Sequence, residues 1–337
     1  MTVYRGFILV VLAAATTWAG DALSWGATGH RIIGRAAVLA LPPEVPAFLR
    51  SEAAVAAVGE LAREPDRWKG AGRAHDGDLD PGHFLDVDDQ GKILGGPALS
   101  ALPLTREGFD TAMRAVGSDG WNAGYLPYSI VEGWQQLSRD FAYWRVDRAA
   151  AEKVADAAHR TWFRDDRVRR EALILRDLGV LGHYVGDGSQ PLHVTVHFNG
   201  WGNDPNPQGY TAARIHAPIE GIFVRDNIDA AAVRAAMPAF EDHGLDIGRR
   251  TAAYLATTNG YVRPLYRLYK AGGFRAGDPR GRAFITARLA SGAAELRDLT
   301  VDAWRASAAA EVGWPAVKVA DVEAGRADPF DSLYGTD

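Results

Sequence analysis

Five of the nine histidines in this chain fall into an ordered ladder with carboxylates: His30, Asp66, His83, His183-x3-Asp187, His193 and His216-x3-Glu220. A helix brings residues four apart onto one face, so His183 and Asp187 can grip one ion, and so can His216 and Glu220. A single His-x3-carboxylate pair is common on ordinary helices, where it is a surface or core feature. Two such pairs with His193 between them read instead as a metal cluster, and a fold that closes it must bring the two ends of the ladder together. Imidazole and carboxylate without thiolate suit catalytic zinc with open positions better than a closed structural site. The chain has no cysteine, so any cross-link in it must come from metal.

The sequence around the ladder is helical. From Ser129 to Trp144 the apolar residues Ile130, Trp134, Leu137, Phe141 and Trp144 recur at steps of four and three, the spacing of one buried helical face. Ile285, Leu289, Leu296, Leu299 and Ala303 repeat the pattern, and a third helix is predicted from about Asp166 to Asp187, ending at Gly188 and Pro191. Strand-like alternation is confined to short runs, Phe84 to Val87 and Ile222 to Val224. Gly70 to Gly82, Gly91 to Pro103 and Asn199 to Tyr210 are rich in Gly, Pro, Asn or Asp and read as long loops. With 47% hydrophobic residues, no repeat and no break in composition, the expectation is an all-α fold. It places one large helical domain over residues 25–314 and a frayed C-terminal tail over 315–337.

Residues 1–24 read as a signal peptide: Arg5, an apolar run from Phe7 to Ala19, and Ala22-Leu23-Ser24 before a cut at Ser24/Trp25. The expected protein is therefore exported, secreted or periplasmic, and monomeric. A formal net charge of -5 lacks the basic excess of a duplex-binding protein, so attraction for a phosphodiester must come chiefly from bound cations. Removal of the signal would leave a free amine on Trp25, five residues before His30. An α-amino group has a pKa of about 7.7–8.0, low enough for zinc to displace its proton near neutrality. Trp25 can then chelate through its amine and its own carbonyl oxygen.

Several runs carry a resemblance: Trp25-Gly26-x-x-Gly29-His30-Arg31-Ile32, Pro65-Asp66-Arg67, His83-Phe84-Leu85-Asp86, Gly182 through His193, and His216-x3-Glu220. They resemble, in order, the motifs of the zinc-dependent phospholipase C and single-strand nuclease superfamily, whose nuclease branch is the S-one/P-one type. Arg288-Leu289-Ala290 through Leu299 is similar to the helix that closes the nuclease domain. The resemblance implies three zinc ions. Asp66, His83, His183 and Asp187 hold one; the Trp25 amine and carbonyl with His30 hold a second, which shares Asp187; His193, His216 and Glu220 hold the third. Two ions about 3.5–4 Å apart generate hydroxide from a water between them at neutral pH, and a third neutralises the leaving oxygen.

The resemblance also bears on residues beside the ligands. Asp86 is similar to the family carboxylate that orients the attacking water, the alternative being an N-cap or loop acid. Lys69 stands where relatives carry a base that steadies phosphoryl oxygens, the alternative being a solvated lysine. Phe84 fits a platform for a nucleobase or a core ring equally well. Trp201, on the loop after His197, is a second candidate substrate contact. The Trp-Gly-x-x-Gly-His opening and the Arg-Leu-Ala helix look like the nucleases, whereas Glu220 stands where that branch has Asp and the phospholipases have Glu. Asn199-Gly200-Trp201-Gly202-Asn203 also replaces the Asp-x-Gly-Gly-Asn signature of the eukaryotic nucleases.

The expected function is a trinuclear zinc phosphodiesterase, an endonuclease acting on single-stranded DNA and RNA to leave 5'-phosphate ends, since a base must enter a metal cleft unstacked. The alternative is a phospholipase C, with Trp201, Phe198 and Tyr210 as interfacial anchors on phospholipid. A helical zinc-binding protein without catalysis is the third reading. Other signals are set aside. Asp76, Asp78 and Asp80 imitate an EF-hand loop but have Pro81 and Val87 where Gly and Glu are needed. Ser189 lacks a triad context, and His75, His159, His197 and His243 remain unassigned.

Overall fold

Short polar residues set the starts of several helices. Ser51, Thr105, Asp156, Asp246 and Asp278 each accept a backbone N–H in the first turn of the helix that follows, a cap worth about 1 kcal/mol. The computed structural model describes residues 25–335 except 71, 78, 203, 204, 243 and 245, so the expected signal segment, Asp78, Asn203 and His243 lie outside the described residues. The helices are α1 (Gly26–Leu39), α2 (Glu52–Leu61), α3 (Glu64–Arg67), α4 (Arg73–Asp76), α5 (Arg106–Ala115), α6 (Gly120–Ala123), α7 (Leu126–Lys153) and α8 (Ala157–Ser189). They continue as α9 (Val224–Asn227), α10 (Ala230–Ala235), α11 (Ile247–Asn259), α12 (Val262–Lys270), α13 (Pro279–Ala306), α14 (Val319–Glu323) and α15 (Phe330–Tyr334). One antiparallel ladder pairs β1 (Glu311–Val312) with β2 (Val317–Lys318). The all-α expectation stands. Among the described residues no helix is long and apolar enough to cross a membrane.

α7 and α8 form a hairpin across the short link Val154–Asp156, which makes them antiparallel neighbours. Ile130, Leu137, Phe141 and Trp144 of α7 and Ile285, Leu289, Leu296, Leu299 and Ala303 of α13 are all buried, the two stripes read from spacing. α8 is longer than the segment read as helix, because its first turns, with Trp162 and Phe163 adjacent, carry no apolar period to announce them. Its other end is enclosed: every residue from Leu181 to Ser189 is buried, with α1, α2, α7 and α13 packed around the helix. Gly186 permits one of these close approaches, since a Cβ there would meet the His30 ring at 3.0 Å.

Three expectations change. Ile222–Val224 is not a strand; it lies across a π-helical turn, Pro218–Phe223, that runs into α9. Phe84–Val87 forms no strand beyond a single bridge between Val87 and Ile93, although its backbone does bond to the chain after His193. The tail after Trp314 is not frayed. β1, β2, α14 and α15 seat Val312, Val319, Val322, Phe330 and Leu333 against Ala142, Val146, Ala150 and Phe163 of the α7–α8 hairpin, forming a second small core. Apolar residues spaced within so short and irregular a segment give no period, so the docking was hidden from pattern reading.

Candidate metal centre

Each rung of the ladder reaches the centre on a different element. Trp25 caps α1 and His30 sits one turn further in; Asp66 comes from α3; His83 ends the 3-10 turn Asp80–His83; His193 ends Pro191–His193. His183 and Asp187 lie one turn apart in the enclosed end of α8. Glu220 stands in the π-helical turn, one turn after His216. Wide π turns inside helices are frequent at functional sites.

The donor atoms converge into three groups: His30, Asp66 and His183; His83, His183 and Asp187; and His193, His216 and Glu220. His83 Nδ1 is 3.0 Å from Asp187 Oδ2 and 2.9 Å from His183 Nε2. His183 Nε2 lies 3.2 Å from Asp187 Oδ2 and 3.9 Å from Asp66 Oδ1, and His30 Nε2 lies 3.5 Å from Asp187 Oδ1. In the third group Glu220 Oε1 is 2.7 Å from His216 Nε2 and 3.3 Å from His193 Nε2. Two donors on one tetrahedral zinc at 2.0–2.1 Å stand about 3.3 Å apart, so these separations suit a shared ion. His193 Nε2, His216 Nε2, Asp187 Oδ1 and both Glu220 oxygens are buried without a hydrogen bond despite this closeness. Buried polar atoms left so cost about 1–3 kcal/mol each, which a cation among them removes. The residues present therefore fit a metal group, with His183 shared between the first two sets.

Electrostatics prepare the donors. Burial lowers His30 to about 3, with His183 adding to the effect, and burial lowers His83 to about 4, so both rings are neutral and ready to ligate near neutrality. Burial opposes the charge on Asp187, yet His183 and His193 outweigh it and hold the carboxylate well below its ordinary value. Burial likewise opposes Asp66, but His183, His30 and Lys69 keep it ionised. His193 is the exception: burial disfavours its cation, but Asp187 and Glu220 lift it to about 9, so a proton occupies in the metal-free chain what a metal displaces.

Backbone carbonyls fix the rings. His183 Nδ1 lies 2.8 Å from Ala62 O, and His193 Nδ1 lies 2.6 Å from His83 O, so the main chain of one ligand orients another. His216 is anchored through its own N–H to Asn199 Oδ1. Tyr184 sets its ring against both His83 and His183. None of these supports has a spacing in the sequence that announces it.

The residues expected beside the ligands divide. Lys69 is not a solvated lysine: its side chain is 12% exposed and Nζ is 2.8 Å from Asp66 Oδ1. Burial works against its charge, but Asp66 more than restores it. Asp86 is half-buried, three residues from His83, with its backbone N–H on Ala123 O, and burial pushes its carboxyl up to about 7. Phe84 is also half-buried. Gly124, at φ +89, lets the chain pass so close behind it that no Cβ fits against the Phe84 carbonyl. Trp201 is a correction. It is 1% exposed, stacked at 3.8 Å on His197 and packed against Tyr210 and Tyr266, so it is a core ring and offers no face to a substrate. Tyr210 is buried as well, whereas Phe198 is 45% exposed. Loop composition announced an accessible aromatic but not which one, because burial depends on α12 folding back over the loop. His75 is exposed, and His159 stacks on Phe330 of the tail.

Comparison of the chain with protein-family models, with characterised proteins and with solved structures gives no significant match.

Proposed function

We propose that this chain is an exported trinuclear-zinc phosphodiesterase, an endonuclease that hydrolyses single-stranded DNA and RNA to 5'-phosphate products. The observation that carries the reading is the convergence of three His/carboxylate groups, two of them sharing His183, in one buried centre. Asp66, His83, His183 and Asp187 would hold one ion, Trp25 and His30 with Asp187 a second, and His193, His216 and Glu220 a third. Bound zinc supplies Lewis acidity, ionising water near neutral pH and neutralising charge on phosphate oxygens. Asp86 receives the proton or hydrogen bond of the attacking water; in the metal-free chain burial alone keeps it protonated up to about pH 7, and nearby cations favour its ionised form. Lys69 keeps its charge beside Asp66 and adds a cation for a phosphoryl oxygen. Phe84 offers a ring beside the metals for an unstacked base.

A second reading, a phospholipase C, is favoured by Glu220 as the last ligand and by the exposed Phe198 on the neighbouring loop, which suits a lipid surface. The two separate in one experiment. Mature protein beginning at Trp25, loaded with zinc, is given single-stranded DNA or RNA and, separately, phosphatidylcholine vesicles, each with a chelator control. Chelator-sensitive release of 5'-phosphorylated nucleotides is the expected result. Chelator-sensitive phosphocholine release with intact nucleic acid would move the protein to the second reading, and no hydrolysis of either would remove both.

A further inference from the structure

We propose that Ser189 is a positioning residue for the metal group, acting through the indole of Trp25, an inference that rests on the zinc reading above. α8 ends irregularly: the N–H of Gln190 turns to Asp187 O, so it does not serve Gly186 O as the next turn of a regular helix would. That carbonyl is buried and is taken instead by two side chains, the Trp25 indole N–H at 2.7 Å and the Ser189 hydroxyl at 2.7 Å. The indole N–H also reaches Ser189 Oγ at 2.9 Å, closing a triangle. Trp25 and Ser189 are both fully buried. The Gly186 carbonyl belongs to the peptide plane that carries the nitrogen of Asp187. Ser189 and that carbonyl together hold the indole, and holding the indole fixes the residue whose backbone is to bind metal.

Four helices meet at this hydroxyl. Trp25 brings α1 to it and Ser189 itself belongs to α8. Tyr254 of α11 donates to Val185 O at 2.7 Å on the neighbouring turn. On α13, Gly292 packs so closely that a Cβ there would stand 2.9 Å from Ser189 Oγ. Serine is thus the residue that accepts from the indole, donates to the carbonyl and still fits beneath α13.

The test is a double-mutant cycle read by zinc affinity on the mature protein, measured by competition with a chromophoric chelator. Trp25→Phe keeps the backbone amine and carbonyl and loses the indole donor together with part of the buried ring; Ser189→Ala loses only the hydroxyl. Each is expected to weaken one of the three ions about tenfold, the usual size of an outer-shell effect. Ser189→Ala added to Trp25→Phe is expected to cost no more than about twofold further, because its route of action is already gone. A merely structural serine would act independently, and the two losses would multiply. Gly292→Ala crowds the hydroxyl without removing it and is expected to weaken the same ion only while Trp25 is present. Multiplying losses, or a Ser189→Ala chain that binds zinc as the wild type does, would overturn the inference alone. A wild-type chain that takes up no zinc would remove the proposed function and this inference with it.

Discussion

α8 buries carboxylates in two places, and the two titrate in opposite directions. Near its end, Asp187 is fully buried and stays ionised because His183, His193 and His83 face it. Further back, where α8 packs on α7, Asp140, Asp147 and Asp177 are also buried, but the donors are few. Arg170 serves Asp140 at 2.9 Å, and Arg176 serves Asp177 at 2.8 Å. Neither oxygen of Asp147 accepts a hydrogen bond. Burial, reinforced by Asp166, pushes Asp147 up to about 8, and burial with Asp140 pushes Asp177 up to about 7. The same residue type at similar depth is therefore an anion in one place and an acid in the other. Depth sets the penalty for charge; the facing donors decide whether it is met.

The most severe way to break this comparison is to remove the ionised partner. Asp187→Ala is expected to lose zinc from the two positions it joins and at least about a thousandfold in hydrolysis, seen by metal analysis beside turnover. Retained zinc and rate would show that Asp187 is a buried acid like Asp147.

Asp86 lies between the two behaviours, three residues from His83 yet raised by burial alone. Asp86→Asn should keep its zinc and lose about a hundredfold in kcat. The wild-type rate should fall on the acid side as Asp86 takes up a proton, with the midpoint below 7 once zinc is bound. That limb should vanish in the variant. A smaller loss, about tenfold in kcat/KM with zinc unchanged, is expected for Lys69→Met.

The smallest effect concerns the acid side of the comparison, and it is one of stability. Asp147 holds its proton in the folded chain up to about 8, while the unfolded chain releases it near 3.8. Between those values the folded state binds more protons, so stability falls as pH rises through the window and levels off above it. Asp147→Asn removes this slope. Metal-free variant and wild type should melt alike at pH 4, and the variant should melt above the wild type at pH 8, by a margin that grows with pH through the window. Equal melting at pH 8 would mean that Asp147 finds a donor after all.

Much of the candidate centre was legible in the sequence because side chains able to hold a metal are marked by their chemistry and by turn spacing. His183 with Asp187 and His216 with Glu220 declared themselves at four-residue steps, and the remaining rungs could be recruited by type. The stripes of α7 and α13 were legible for the same reason, since burying one face of a helix leaves a period in the chain. What could not be read was which polar groups would be enclosed and by what. Trp201 looked like a surface ring and proved a core one; Ser189 looked idle and holds the indole of Trp25. The tail looked frayed and is docked on the α7–α8 hairpin.

The sequence by itself determined the helical class, the positions of the long helices and the identity of the donors, because these follow from local spacing and from the bonding capacity of single side chains. Tertiary structure alone decided the distances between donors, the burial that lowers His30 and raises Asp147, and the carbonyls of Ala62 and His83 that aim the ligand rings. Those depend on segments far apart in the chain coming to lie against one another, and no local pattern records which atoms will meet.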